Sequence, residues 1–83
     1  MPTVKRFNRC RIEMYFRDHP PPHFHVVTRA GEKVVVEIAS LTVLQGKADA
    51  RDVTEALAWA AGNRAQLRAW WSKYAEGRKG GDK

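Results

Sequence analysis

Apolar and polar residues alternate along Cys10-Arg11-Ile12-Glu13-Met14-Tyr15-Phe16-Arg17: Cys10, Ile12, Met14 and Phe16 fall on one side and the remainder on the other. A period of two is the pattern of a half-buried strand. Residues 3–7 offer a shorter partner, joined through Asn8-Arg9, where Asn tolerates the left-handed backbone of a tight hairpin. After a break at 18–22 come residues 23–29 and 33–38, rich in β-branched side chains and separated by Ala30-Gly31, which predicts a second hairpin. A three-residue loop over 30–32 sets Phe24 opposite Ile38, Val26 opposite Val36 and Thr28 opposite Val34, with His25 beside Glu37 on the other face. A two-residue loop would put His25 beside Val36 among core side chains, so the register that keeps the apolar residues together is preferred.

From Asp49 the period changes. Val53, Ala56, Leu57, Ala60, Leu67, Trp70, Trp71 and Tyr74 recur at steps of three and four, the apolar stripe of a helix. Asp49 suits its N-cap, Asp52 and Glu55 lie in the opening turns, and Arg64, Arg68 and Lys73 follow, the charge order a helix dipole favours. The stripe stays in phase across Gly62-Asn63, so the reading is one long or once-broken helix ending near Glu76-Gly77. Residues 41–47 serve as the connector. The expected fold is α+β: a four-stranded antiparallel sheet of two hairpins, with the C-terminal helix packed on one face and the other face open.

A chain of 83 residues has room for one small domain, expected here over 1–77 with a basic tail at 78–83. A lone cysteine excludes an internal disulfide and a C-x-x-C zinc or redox motif, and its strand position fits a buried thiol better than a nucleophile. No apolar stretch approaches a membrane span and the N-terminus has no signal-peptide pattern, so a soluble cytoplasmic protein is expected. The net charge of +6 favours an anionic partner such as nucleic acid or an acidic protein. That charge is concentrated early: Lys5, Arg6, Arg9, Arg11 and Arg17 face only Glu13 within residues 1–17.

All three histidines fall in Asp18-His19-Pro20-Pro21-Pro22-His23-Phe24-His25. The prolines fix φ and make the segment a stiff spacer with little entropy to lose on binding. His23 and His25, two apart on a strand, project from the same face. Imidazoles titrate near neutral pH, so the pair suits general acid and base, with Arg11, Arg17, Tyr15 and His19 around it to hold phosphate and nucleotide. His23 and His25, with His19 or Asp18, also suit zinc. A third reading is structural, with Asp18 capping a turn and the histidines satisfying backbone groups.

Of Trp59, Trp70 and Trp71, core packing accounts for Trp59 and one of the adjacent pair. Neighbours on a helix point about 100° apart, which leaves the other open to a partner. Trp71 with Arg68 is the expected interface. No Gly-rich phosphate loop, nucleophile elbow or paired-carboxylate arrangement is visible.

The opening Met1-Pro2-Thr3-Val4, the segment Asp18-His19-Pro20-Pro21-Pro22-His23-Phe24-His25-Val26 and a helix carrying Asn63, Leu67, Trp70 and Tyr74 together resemble the small bacterial proteins called domain of unknown function 4160. The motif transfers to Asp18, His19, Pro21, Pro22, His23 and His25; Phe24 stands where members often carry valine, which keeps the strand pattern. The resemblance implies a toxin-like protein in a toxin-antitoxin-like gene pair, neutralised by a partner from the family of unknown function 2442. The expected function is therefore action on RNA or translation, as a metal-independent ribonuclease with His25 and His23 as acid and base. In that scheme Glu37 orients His25, Arg17 and Arg11 hold phosphate, Tyr15 positions the nucleotide, and no cofactor is needed. The alternatives are a non-catalytic module that binds nucleic acid or protein, and a metal-binding protein.

Overall fold

The sheet dominates the computed structural model, which describes residues 3–15 and 19–73. Among the described residues five strands follow one another as an antiparallel meander: β1 (Thr3–Arg6), β2 (Cys10–Glu13), β3 (His23–Thr28), β4 (Lys33–Glu37) and β5 (Val43–Gly46). Helices α1 (Ala50–Ala61) and α2 (Arg64–Trp71) complete the α+β fold. The alternation in β2 does what its period requires. Cys10, Ile12 and Met14 are buried with Phe24, Val26, Val34, Val36 and Ile38, and α1 adds Val53, Ala56 and Ala60 to this layer. Leu67 and Trp71 of α2 close its end. Phe16 of the expected strand, the helix end near Glu76-Gly77 and the tail at 78–83 lie outside the described residues.

The sheet has five strands rather than four because the expected connector pairs with β4, Val34 opposite Gly46 and Val35 opposite Gln45. Every residue of β5 is exposed, so its side chains carry no alternation, and backbone pairing alone makes it a strand. The turn into it is tight. Leu41 N–H bonds the Glu37 carbonyl at 2.8 Å and Glu37 N–H bonds the Thr42 carbonyl at 2.9 Å, which holds Leu41 at φ +60 while its side chain packs against the core.

The β3–β4 hairpin keeps the expected faces but in another register. Its three-residue loop is 29–31, one position earlier than expected, so His23 faces Glu37, Phe24 faces Val36 and His25 faces Val35. The reason is steric. In a three-residue hairpin loop the third residue takes the left-handed conformation, and here that residue is Gly31 at φ +92, whereas the expected loop would have placed Glu32 there. Thr28 secures the turn, its carbonyl accepting from Gly31 N–H and its Oγ1 from Glu32 N–H.

The helix breaks at the expected point. Asp49 caps α1, its Oδ1 accepting from Arg51 N–H at 2.9 Å. Asn63 N–H reaches back to the Ala60 carbonyl and the Asn63 side chain donates to the Trp59 carbonyl at 2.8 Å, so the last turn tightens and α2 restarts from Asn63. Of the adjacent tryptophans, Trp71 is the buried one, with 2% of its surface exposed, and Trp70 is half-buried. The expected interface is corrected accordingly: Trp71 belongs to the core, while Arg68 is exposed. Trp59 is half-buried, edge-on to Phe7 at 6.0 Å.

Candidate functional site

Strand alternation sends Arg11, Glu13 and Tyr15 to the sheet face turned away from α1, and β3 sends His23, His25 and Val27 to the same face. The β2–β3 register sets Arg11 opposite Val27 and Glu13 opposite His25. Glu13 is the hub. Its Oε2 accepts from Arg11 Nε at 2.6 Å and its Oε1 from the Tyr15 hydroxyl at 2.8 Å. Lys33 Nζ in turn donates to the Tyr15 oxygen at 3.1 Å and lies 5.5 Å from the ring centre. A carboxylate, a phenol and two cations thus form a continuous chain across β2 to β4.

Burial alone would push the Glu13 carboxyl upward, since only 3% of the residue is exposed. The hydrogen bonds from Arg11 and Tyr15, with the charges of Arg11 and Lys33, outweigh it and hold the group below the ordinary glutamate value. Glu13 is therefore ionised at neutral pH, and Arg11 with Lys33 leaves a net positive charge around it.

The aromatic rings form a second chain. Tyr15 lies against His25 at 4.4 Å between ring centres, His25 against His23 at 5.3 Å, and His23 against His19 at 5.7 Å. His23 also packs at 4.9 Å on Trp71, and its Nδ1 donates to the Pro21 carbonyl at 2.7 Å, which fixes the proton on that nitrogen. With 4% of its surface exposed, His23 is built into the structure. His25, at 9%, forms one wall of an open groove of about 330 Å³ with Lys33, Val35 and Gln45. His19 is exposed, and the Pro20–Pro21 bond before His23 is cis.

The structure thus brings together His19, His23, His25, Tyr15 and Arg11. Arg17 and Asp18 lie outside the described residues, so their expected roles are not placed. Glu37 is placed elsewhere than expected: it faces His23 across the strands and accepts from Ser40 Oγ at 2.6 Å, which ties it to the β4–β5 turn rather than to His25. Among the described residues no three His, Cys, Asp or Glu side chains are grouped to hold a metal ion. Burial raises the Cys10 thiol above its ordinary range, with Glu55 and Asp52 adding to the shift, which suits a core thiol.

Glu13 and Lys33 are the members of this cluster that sequence reasoning passed over. The spacing Arg-x-Glu-x-Tyr already sets three groups on one side of β2 and the two residues after it, and that signal was present. Lys33 had none, because it reaches Tyr15 only across two strands.

A family model described as a domain of unknown function, DUF4160, matches residues 10–72. The chain belongs to that family. The match runs from the first residue of β2 to just past α2, and so takes in the ring chain, the Glu13 hub and both helices. No curated protein and no solved structure matches the chain significantly. No described helix is long and apolar enough to cross a membrane.

Proposed function

We propose that the protein acts on RNA, in the manner of a toxin, through the sheet face that carries Glu13 and His25. The observation that carries the reading is the meeting of Arg11, Glu13, Tyr15, Lys33 and His25 on that face, beside an open groove. Arg11 and Lys33 supply charge for the phosphodiester backbone and Tyr15 a ring for a base, the combination used on single strands. His25 is the proton-transfer group: the ribose 2′-oxygen displaces the 5′-oxygen at phosphorus, His25 takes the 2′-hydroxyl proton, and water returns a proton to the leaving oxygen. His23, held by Pro21 and Trp71, positions His25 and takes no part in the chemistry.

One observation favours a second reading, an RNA-binding module that does not cleave: His25 keeps only 9% of its surface exposed. Incubating the purified chain with a short single-stranded RNA, and measuring both binding and cleavage, separates the two. Cleavage by the wild type that is lost in His25→Ala, with binding kept, supports the nuclease. Binding without cleavage selects the module, and absence of both rejects the reading. The family resemblance adds an antitoxin-like partner from the domain of unknown function 2442 family. Induction in bacteria with and without the neighbouring gene tests it, with growth arrest relieved by co-expression as the expected outcome.

A further inference from the structure

A second cavity lies away from the His25 groove. It occupies about 300 Å³ and its lining includes Arg6, Phe7, Asn8, Arg11, Val27 and Arg29. The register explains the gathering of charge. Arg6 pairs with Arg11 across β1 and β2, Arg11 pairs with Val27 across β2 and β3, and Arg29 follows Val27 by two residues, in the turn that leaves β3. Three arginines from separate stretches of sequence therefore border one hollow.

Their carboxylate partners are few. Arg11 spends Nε on Glu13, which leaves its terminal nitrogens without a bond to that carboxylate. Arg29 donates Nη1 to the Asn8 carbonyl at 3.2 Å, and its backbone N–H bonds the Arg9 carbonyl, so the residue is anchored by neutral groups. Among the described residues neither Arg6 nor Arg29 has a carboxylate within ion-pair distance, whereas the neighbouring Arg9 is paired with Asp52 at 3.1 Å. The hollow carries three positive charges against Glu13 alone among the bonded acids.

We propose that this cavity binds a phosphoryl group, with Arg6, Arg11 and Arg29 as its ligands. Guanidinium forks match phosphate oxygens in pairs, and a volume near 300 Å³ is at the small end of ligand sites. The group is either the terminal phosphate of an RNA or that of a small phosphate ion or nucleotide. In the first case the site rests on the RNA reading and deepens it, by fixing one end of the strand. In the second it stands by itself.

Calorimetric titration of the full chain at low salt tests the proposal, with inorganic phosphate and with one RNA oligonucleotide carrying either a 5′-phosphate or a 5′-hydroxyl. The expected result is phosphate binding weakened about tenfold or more in Arg6→Gln/Arg29→Gln and unchanged in Lys47→Gln, an exposed site that lines neither cavity. Arg6→Gln alone, at an exposed strand position, provides the same test should the double variant fold poorly. A preference for 5′-phosphate RNA that disappears in the double variant identifies an RNA end as the source. Phosphate binding with no such preference identifies a small phosphate. Wild-type protein that binds no phosphate, or a double variant that binds it equally well, overturns the site. Binding of the 5′-hydroxyl RNA is read separately, so a failed phosphate pocket and a failed RNA face are distinguished.

Discussion

Glu13 and His25 face each other directly across β2 and β3, a nearly buried carboxylate beside a nearly buried imidazole on the sheet face turned away from α1. Arg11 and Tyr15 hold the carboxylate and Tyr15 covers His25, so the two residues share one support.

Replacing Glu13 with Gln should destabilise the fold by about 1–2 kcal/mol at pH 7, less than a fully buried ion pair would lose because Arg11 remains 38% exposed. The pH dependence has a definite sign. A carboxyl held below its ordinary value in the folded chain contributes stability above the unfolded-state value, and that contribution is lost as pH falls through the lower folded value. Urea unfolding from pH 7 down to pH 3 should show wild type and Glu13→Gln converging as the pH drops. A constant difference across that range would contradict the role given to the charge.

Trp71→Ala should cost about 3–5 kcal/mol, enough to unfold much of a small domain, since it removes a buried indole from the core and from its packing on His23. Trp70→Ala should cost about 1 kcal/mol. Thermal melts of the two variants distinguish them. Any loss of partner binding in Trp71→Ala is therefore to be read as unfolding, and Trp70 with Arg68 is the pair to test for contact on α2.

Tyr15→Phe should remove the bonds to Glu13 and Lys33 while keeping the ring against His25. A stability loss of about 1 kcal/mol with RNA affinity largely kept is expected, and Tyr15→Ala should lose both. Lys33→Gln should weaken RNA binding evenly across sequences and lower the slope of log affinity against log salt by about one. Binding measured at several salt concentrations checks it; an unchanged slope would remove Lys33 from the phosphate contacts.

How far these features can be read from sequence depends on whether side chains or backbone carry them. Cys10, Ile12 and Met14 were legible as core because period two marks them. The β3–β4 faces were legible for the same reason, but the register was not, because it turns on which residue takes the left-handed position, and Gly31 rather than Glu32 does so. Strand β5 left no trace in the pattern, since Val43 and Leu44 are each about half exposed and only hydrogen bonds to β4 define it. At the site, Arg11, Tyr15, His23 and His25 follow from alternation. The Glu13 hub followed too, yet a single acid among arginines reads as strand filler until its two bonds are seen. Lys33 and Arg29 join their clusters across strands, and only the register places them there.

Two glycines give opposite expectations from one substitution. Gly62 sits at the helix break with φ −89, and a methyl group there would meet only the Trp59 carbonyl at an ordinary 3.8 Å. Gly62→Ala should therefore leave the fold unchanged or stabilise it by up to about 1 kcal/mol, by restricting the unfolded chain. Gly46 sits at φ +89 in β5, and a methyl group there would collide with the Lys33 carbonyl oxygen and crowd the Val34 backbone. Gly46→Ala should cost about 2 kcal/mol or more, and relief of the clash would push β5 away from β4. Amide hydrogen exchange then has a local readout, with protection falling across β5 and the facing residues of β4 while α1 keeps its own. Equal loss of protection everywhere would mean that β5 is integral to the core; unchanged protection would mean that the pairing of Gly46 with Val34 is wrong.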